Sequence, residues 1–327
     1  MNKVFFGDCR DTMRQLASEG VKVQTCVTSP PYFGLRDYGH PGQLGLESTP
    51  DEYVAAMVEV FRCVRDVLRD DGTLWLNLGD SYAGSANNGG TTSKTMQGMQ
   101  AATGRNLPTK RGDGIKQKDL LGIPWRVAFA LQADGWYLRQ DIIWSKPNPM
   151  PESVTDRCTK AHEYIFMLSK SARYYYDQGA IKEPSIYAGI TGMDESGYKD
   201  AQAFAGKHGK ADKQRGHSRR HAGFNDRWDA MSKEEQSSDM RNKRSVWTVA
   251  TKPYSGAHFA TFPPELIEPC ILAGAPSGGI VLDPFFGSGT TGQVCQQLGR
   301  QWIGCELNPA YEDLQMERTR QSGLEFA

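Results

Sequence analysis

The sequence lacks several features that would assign it to a simple class of protein. Its 327 residues carry 38 lysines and arginines against 38 aspartates and glutamates, so no overall charge excess points to a polyanionic partner. The seven cysteines include no C-x-x-C pair, which argues against a disulfide framework or a zinc site. No stretch approaches the roughly 20 apolar residues of a membrane helix, and the N-terminal apolar run is too short for a signal peptide. We therefore expect a soluble cytoplasmic protein with reduced thiols, without a bound metal and without a membrane partner.

Strand and helix patterns alternate in two blocks at the two ends of the chain, which predicts an α/β fold. The strands expected in the first block are KVFF, VQTCVT, GTLWLNL, WYLRQDIIWSK, HEYIFMLS and RYYYD, with helices at about 11–19, 51–69 and 123–133. In the second block, we expect a helix in PPELIEPCILAG, the strand GIVLD, a helix in TTGQVCQQLG and the strand QWIGCE. The length predicts one large domain with an insertion, or two domains.

A segment of different composition, about residues 186–245, separates the two blocks. Between Gly206 and Arg244 it holds 11 basic against 6 acidic residues, and it is poor in aliphatic side chains. A solvated linker is one interpretation. The interleaved Phe224 and Trp228, and basic residues in a loop at 84–118, favour a nucleic-acid surface. We expect that loop to be mobile without DNA, and the candidate DNA contacts are Lys110, Arg111, Arg219, Arg220 and Arg227.

A glycine-rich turn in VLDPFFGSGTTG follows one predicted strand and precedes a predicted helix. Close backbone approach at its G-x-G-x-x-G, with Glu306 at the end of the next strand to pair with ribose hydroxyls, predicts a cofactor with an adenosine group. The turn lacks the lysine of a P-loop. Asp283 before the turn favours an amine over a pyrophosphate, and Phe285 and Phe286 narrow the turn. These features favour S-adenosylmethionine over a nicotinamide dinucleotide, and a tight turn without a ligand is the alternative.

The segment TSPPY, residues 28–32, follows VKVQTCV, a mostly apolar run that predicts a buried strand. Two consecutive prolines cannot extend a central strand, so the segment predicts a stiff loop at the carboxyl end of that strand, where open α/β sheets bind ligands. The loop offers the hydroxyl of Ser29 and an exposed ring at Tyr32. A rigid proline turn with a core tyrosine is the alternative interpretation.

TSPPY and DPFFGSGTTG together resemble the amino-group DNA methyltransferases that modify N4 of cytosine or N6 of adenine, in the motif order of the family's β group. GDC at 7–9, the stretch 141–170, HFATFPPELIEPCI and WIGCELNP extend the resemblance over most of both blocks. It implies a Rossmann-like methyltransferase fold with a mixed, mostly parallel sheet and helices on both faces, built from residues 1–185 and 246–327. Residues 186–245 would then be an inserted target-recognition region.

The resemblance also implies partners and cofactor contacts. The partner would be double-stranded DNA, with a cognate restriction endonuclease and a homodimer as further candidates, in a protein of prokaryotic or phage origin. Asp8 would face the adenine amino group of S-adenosylmethionine, Glu306 its ribose hydroxyls and Asp283 its methionine part. The full set of expected cofactor residues is Asp8, Cys9, Thr28, Thr261, Phe262, Asp283, Phe285, Gly287, Ser288, Gly289, Thr290, Glu306 and Asn308.

The chemistry of such a reaction assigns roles to the TSPPY segment. An exocyclic amino nitrogen is a poor nucleophile, and acceptors aimed at its hydrogens draw it toward a tetrahedral, reactive geometry. Ser29 and the carbonyl of Pro30 would be such acceptors, Pro31 would stiffen the loop, and Tyr32 would stack on a flipped base. Asp80, after GTLWLNL, would accept a second hydrogen or the released proton, with a helix-cap or turn role as the alternative.

Alternative chemistries are open at this point. Ser29 as the first residue of S-P-P-Y favours N4 of cytosine, with N6 of adenine as the alternative and RNA as a weaker alternative substrate. The pair Pro269-Cys270 resembles the nucleophile of cytosine C5 methylation, but it lies in an apolar helical pattern that predicts a core thiol, so we reject that chemistry. A nicotinamide-dependent oxidoreductase and a DNA-binding module without catalysis are more remote alternatives.

Overall fold

The computed structural model describes residues 1–83, 114–184, 240–252 and 262–320. Its strands are β1 Asn2–Phe6, β2 Val23–Thr28, β3 Leu68–Leu78, β4 Tyr137–Ser145, β5 His162–Ser169, β6 Glu183–Pro184, β7 Met240–Arg241, β8 Val246–Thr248, β9 Ile280–Asp283 and β10 Gln301–Glu306. Its helices are α1 Cys9–Ser18, α2 Pro50–Val67, α3 Ile123–Ala133, α4 Pro264–Gly274, α5 Thr290–Gln297 and α6 Glu312–Thr319, with short 3₁₀ turns at Gly179–Ile181 and Pro309–Tyr311. Within these ranges, no helix is long and apolar enough to span a membrane.

One eight-stranded sheet joins strands from both ends of the sequence. Its order is β1-β10-β9-β2-β3-β5-β4-β8, and only β5 runs antiparallel to its neighbours. The sheet is therefore mixed and mostly parallel, as the family resemblance implies. The carboxyl ends of β1, β10, β9, β2, β3 and β4 all meet at one edge, together with the start of β5. Residues far apart in the chain are brought together at this edge.

Helices cover the sheet on both faces, as the side chains that point alternately to the two faces along β3 show. Leu74, Leu76 and Leu78 are fully buried in a cluster with residues of α1, α2 and α3. Trp75 points to the other face, where a side chain at Gly274 of α4 would collide with its indole nitrogen. Cys270 on α4 is 1% exposed, which confirms the prediction of a core thiol.

Local sequence signals explain where α2 begins. Thr49 and Glu52 form a reciprocal capping box, in which the Thr49 hydroxyl accepts from the Glu52 N–H and the Glu52 carboxylate accepts from the Thr49 N–H. Pro50 occupies the first turn, where a missing N–H costs nothing. The helix ends at Val67 rather than at residue 69, because Leu68 already pairs with Val23 of β2.

The strand expected in RYYYD was wrong. Residues 173–177 have no regular structure, although two backbone N–H groups are satisfied: Tyr175 donates to the Asp71 carbonyl at 2.8 Å and Asp177 to the Ala273 carbonyl at 2.9 Å. Tyr176 stacks on Trp75 with ring centroids 6.4 Å apart. Tyr176 of this aromatic run therefore packs on the sheet face to which Trp75 points and does not join the sheet as a strand.

The chain divides into two compact units, residues 1–180 with 244–327, and residues 181–243. The first contains the large sheet. In the second, the described residues form the two-stranded antiparallel ladder of β6 and β7, in which Arg241 pairs with Glu183 at 3.0 Å. The target-recognition role expected for residues 186–245 stays a prediction, because residues 185–239 lie outside the described ranges.

Candidate active site

A cavity lies at the edge of the sheet where the parallel strands end. Ten of the expected cofactor residues line it: Asp8, Cys9, Phe262, Asp283, Phe285, Gly287, Ser288, Thr290, Glu306 and Asn308. Ser29 and Pro31 line the same cavity. We name residues 28–32 the TSPPY loop and residues 284–289 the glycine turn. The structure therefore places the two segments side by side around one space.

Glu306 at the end of β10 is held by backbone donors on both carboxylate oxygens. Oε2 accepts from the Gly287 N–H and Oε1 from the Asn308 N–H, each at 2.8 Å. Burial raises the pKa of Glu306 to about 7, and these hydrogen bonds oppose the rise. A carboxylate fixed in this way is suited to accept hydrogen bonds from the hydroxyl groups of a ligand.

Asp283 at the end of β9 connects the TSPPY loop to the glycine turn. Its Oδ1 accepts from the Thr28 hydroxyl at 2.7 Å and from the Phe285 N–H at 3.0 Å, and its Oδ2 accepts from the Thr291 hydroxyl at 2.6 Å. Burial raises the pKa of Asp283 to about 6, against the effect of these three donors. Thr28 is 1% exposed and does not line the cavity, so it supports Asp283 instead of facing a ligand.

Asp8 serves as the N-cap of α1 as well as lining the cavity. Its Oδ1 accepts from the Arg10 N–H at 2.8 Å, and its Oδ2 pairs with the Arg10 guanidinium at 2.6 Å. This hydrogen-bonded guanidinium lowers the pKa of Asp8. Burial raises the pKa of the neighbouring Cys9 to about 12, which keeps it a thiol at neutral pH.

Gly289 and Phe286 have structural roles in the glycine turn. Gly289 is the N-cap of α5 with φ of 88°, a conformation that favours glycine, and it does not line the cavity. Phe286 is 3% exposed and stacks on Trp302 at 4.9 Å between ring centroids. A Cβ at Gly304 would lie 2.4 Å from the Phe286 ring. Phe286 therefore belongs largely to the core beneath the turn.

Contacts with α2 and with the core hold the TSPPY loop in place. The Tyr53 hydroxyl of α2 donates to the Pro31 carbonyl at 2.9 Å, and Phe33 is 1% exposed. Tyr32 was predicted to be exposed, but it is half-buried and its ring lies against Gly79, where a Cβ would come within 2.6 Å. Its hydroxyl donates to Glu163 at 2.7 Å. The polar end of Tyr32 is therefore directed into the protein.

Asp80 lies just beyond β3 and has the helix-cap contacts that its alternative interpretation predicts. Its Oδ1 accepts from the Ser81 N–H at 2.8 Å and from the Ile123 N–H at 3.1 Å, at the first turn of α3. The Lys160 ammonium donates to its backbone carbonyl. Among the described residues, the structure shows no partner for Oδ2, so the contacts leave room for a second role.

Sequence reasoning missed two groups of residues at this edge. The first, Tyr38, His40, Gly42, Gln43, Leu44 and Tyr311, lines the cavity, and five of the six lie in the DYGHPGQLG segment shortly after the TSPPY loop. The second group is Asn77, Lys146 and Glu163, which contact Tyr32 or one another. A signal was present for Glu163, since it is a charged residue in the otherwise apolar strand HEYIFMLS.

Several predicted residues lie outside the described ranges. These are Thr261 of the expected cofactor set and the candidate DNA contacts Lys110, Arg111, Arg219, Arg220 and Arg227. Residues 84–113 of the loop expected to be mobile, 84–118, also lie outside the described ranges.

Comparison with known proteins gives a consistent result across the whole chain. A family model described as DNA methylase, for N6 and N4 methyltransferases, matches residues 23–317. The Type II methyltransferase M.Cfr9I of Citrobacter freundii is 45% identical over 96% of this chain and 86% of its own. The Type II methyltransferase M.SmaI of Serratia marcescens is 44% identical over 97% of this chain and 90% of its own.

A solved structure supports the fold. The PvuII DNA methyltransferase, described as cytosine-N4-specific, superimposes with a TM-score of 0.58 and covers 99% of this chain and 88% of that chain. Its sequence is 17% identical, so the likeness concerns the fold alone. The Rossmann-like methyltransferase fold expected from the sequence is confirmed.

Replacing Glu306 with glutamine should change how stability depends on pH. Because burial raises the pKa of Glu306 from 4.5 to about 7, the folded protein binds this proton more tightly than the unfolded chain does. The resulting stabilisation is complete below the unfolded pKa and is lost as pH rises through the folded value. We expect the free energy of unfolding of the wild type, relative to Glu306→Gln, to fall by on the order of 2–3 kcal/mol between pH 4 and 8. Urea denaturation of both proteins measures it, and a pH-independent difference would contradict the assignment.

Proposed function

The chain belongs to the N6/N4 DNA methylase family, and from this premise we propose that it methylates N4 of cytosine in double-stranded DNA. It is an S-adenosylmethionine-dependent DNA methyltransferase that acts on an exocyclic amino group. The observation that carries the proposal is the shared cavity, in which Ser29 and Pro31 of the TSPPY loop meet the glycine turn. A methyl donor held by the turn would lie beside the loop that receives the base.

The cavity lining fits a cofactor that carries an amine and no phosphate. Its acidic side chains are Asp8, Asp283 and Glu306, and among the described residues no lysine or arginine lines it. A pyrophosphate would be repelled by these carboxylates, whereas an ammonium group would be attracted. Glu306 would accept the ribose hydroxyls, and Asp8 and Asp283 would hold the two amino groups. When bound, S-adenosylmethionine supplies the electrophilic methyl group.

The TSPPY loop would prepare the nitrogen for attack. Ser29 Oγ and the Pro30 carbonyl would accept hydrogen bonds from the target amino group, which draws its lone pair out of conjugation with the ring. The Tyr53 hydroxyl on the Pro31 carbonyl and the two prolines keep these acceptors in place. The half-buried ring of Tyr32 would support the flipped base by stacking.

The choice of cytosine rests on the residue at position 29. Serine as the first residue of S-P-P-Y favours N4 of cytosine, whereas aspartate or asparagine is more usual in the adenine enzymes. The test is to incubate the enzyme with plasmid DNA and S-adenosylmethionine, digest the DNA to nucleosides and identify the product by mass. We expect N4-methylcytosine. N6-methyladenine would replace the cytosine proposal with its alternative, and DNA without added methyl groups would contradict the function itself.

Residues 186–245 and the loop at 84–118 are proposed to contact DNA. Their basic residues, among them Lys110, Arg111, Arg219, Arg220 and Arg227, would neutralise phosphates and position the duplex. A cognate restriction endonuclease that acts on the same site, a homodimeric state and a cytoplasmic location belong to the same proposal.

Substituting Ser29 with alanine should slow methyl transfer and leave cofactor affinity nearly unchanged. The hydrogen bond from the amino group strengthens as the nitrogen becomes tetrahedral, so its loss acts on the transition state. We expect single-turnover rates to fall about 10²-fold, by analogy with the loss of one oxyanion donor. Ser171→Ala removes a hydroxyl at the opposite edge of the sheet and should react like the wild type. A wild-type rate in Ser29→Ala would contradict the role of the TSPPY loop.

Two substitutions at Asp80 separate its two candidate roles. Asp80→Asn keeps an oxygen that can cap α3 but loses the charge, whereas Asp80→Ala loses both. If the carboxylate also accepts from the amino group, both variants should transfer methyl groups about tenfold or more slowly, because an ionised acceptor makes the stronger bond. Only Asp80→Ala should have a lower melting temperature. A near-normal single-turnover rate in Asp80→Asn would assign Asp80 to the cap alone.

A further inference from the structure

A chain of hydrogen bonds runs from Ser29 into the interior of the sheet. The Ser29 hydroxyl lies 3.3 Å from the Tyr32 oxygen, and the Tyr32 oxygen lies 2.7 Å from Oε2 of Glu163. Oε1 of Glu163 pairs with the ammonium of Lys146. Of these four residues, only Ser29 lines the cavity. The hydrogen bonds among the other three therefore need a separate explanation.

The chain ends in a group that can only accept. An ionised carboxylate has no hydrogen to donate, so the hydrogen between Tyr32 and Glu163 must come from the tyrosine hydroxyl. Tyr32 has a single hydroxyl hydrogen, and its oxygen is then available to accept from Ser29. The Ser29 hydroxyl therefore donates its hydrogen to the Tyr32 oxygen. The lone pairs of Ser29 Oγ then face the cavity that Ser29 lines.

We propose that Glu163 is a positioning residue that, through Tyr32, keeps Ser29 a hydrogen-bond acceptor. The inference rests on the proposed function, in which Ser29 accepts from the target amino group. A serine free to rotate could instead donate its hydrogen to the base. That orientation would leave the amino nitrogen flat and unreactive, so fixing the direction of one hydroxyl favours the reactive geometry.

The surroundings of Glu163 hold the chain in this direction. The Asn77 amide nitrogen donates to Oε2 of Glu163 at 3.3 Å and to the Tyr164 carbonyl at 3.1 Å, so its own oxygen faces Tyr32 at 3.2 Å. That oxygen is a second acceptor for the Tyr32 hydrogen and cannot reverse the chain. Burial raises the pKa of Tyr32 well above its ordinary value, which keeps the phenol protonated and able to donate.

The fold explains why these residues meet. Glu163 lies near the start of the antiparallel strand β5 and pairs in register with Trp144 of β4. Lys146 follows β4 directly, and its ammonium lies 4.2 Å from the centre of the Trp144 ring. The Glu163 and Lys146 side chains are 15% and 18% exposed, so the ion pair is largely shielded from water. The attraction between the Glu163 carboxylate and the hydrogen-bond donors around it is therefore only weakly screened.

A double-mutant cycle tests whether Glu163 acts through Tyr32. Single-turnover methyl transfer is measured with saturating plasmid DNA and S-adenosylmethionine for the wild type, Glu163→Gln, Tyr32→Phe and the double variant. Glutamine can donate to Tyr32 and so reverse the chain, and phenylalanine removes the link but keeps the ring. We expect each single variant to be slower by about 10-fold to 10²-fold, and the double variant to be no slower than the slower single variant.

Matched measurements separate positioning from general damage. Asp70→Asn makes the same carboxylate-to-amide change at the exposed Asp70, which pairs with Lys170 at the opposite edge of the sheet, and should leave the rate unchanged. Affinity for S-adenosylmethionine should be unchanged in Glu163→Gln and Tyr32→Phe. A wild-type rate in Glu163→Gln, or a double variant as slow as the product of the two single effects, would overturn the proposal.

A second cycle decides the matter if Glu163→Gln does not fold. Because the Tyr32 hydroxyl would act through Ser29, Tyr32→Phe should slow the reaction in the wild type and have no further effect in Ser29→Ala. Equal slowing in both backgrounds would overturn the proposal. Absence of methyl transfer by the wild type would instead contradict the proposed function, so the two failures are distinguishable.

Discussion

The buried carboxylate of Asp283 joins the parts of the site that have to work together. It accepts from Thr28, one residue before Ser29, from the backbone of the glycine turn at Phe285, and from Thr291 in the first turn of α5. Because burial of a charge is costly unless it is hydrogen-bonded, these three donors are held tightly to it. The pairing of β2 with β9 brings the loop for the base beside the turn for the cofactor, and the Asp283 side chain links the two.

The parallel arrangement of the strands made this part of the site predictable from the sequence. When strands run in the same direction, the residues that follow them gather at one edge, so Ser29, Asp283 and Glu306 could be assigned to one site from their positions after predicted strands. The alternating strand and helix patterns also predicted the α/β class and the strand and helix that flank the glycine turn, whereas the mixed, mostly parallel sheet was implied by the family resemblance. Short motifs carry this information because their chemistry depends on residue type and on a strand end, both of which are visible in one sequence.

Contacts that depend on tertiary packing were not predictable. Glu163 meets Lys146 only because β5 is antiparallel and pairs with β4, a register that the apolar pattern of each strand does not specify. The contact of Glu163 with Tyr32 joins residues 131 positions apart in the sequence. The local pairing of Asp8 with Arg10 was missed for a different reason, since a cavity-lining carboxylate and an N-cap look the same in sequence. The strand prediction for RYYYD failed for a related reason: its aromatic residues fit a strand pattern, but Tyr176 packs against Trp75 on a face of the sheet.

The most direct test of this account removes the hydrogen bond between Thr28 and Asp283 with a side chain of nearly the same shape as threonine. Thr28→Val loses the hydroxyl that donates to Asp283, whereas Thr28→Ser keeps it. Losing one hydrogen bond to a charged group costs roughly 1.5–3 kcal/mol, and about 1.4 kcal/mol corresponds to a tenfold change in rate. Single-turnover methyl transfer at saturating DNA and S-adenosylmethionine should therefore be about tenfold or more slower in Thr28→Val and close to wild type in Thr28→Ser. Equal, wild-type rates in both variants would contradict the claim that Asp283 couples the TSPPY loop to the glycine turn.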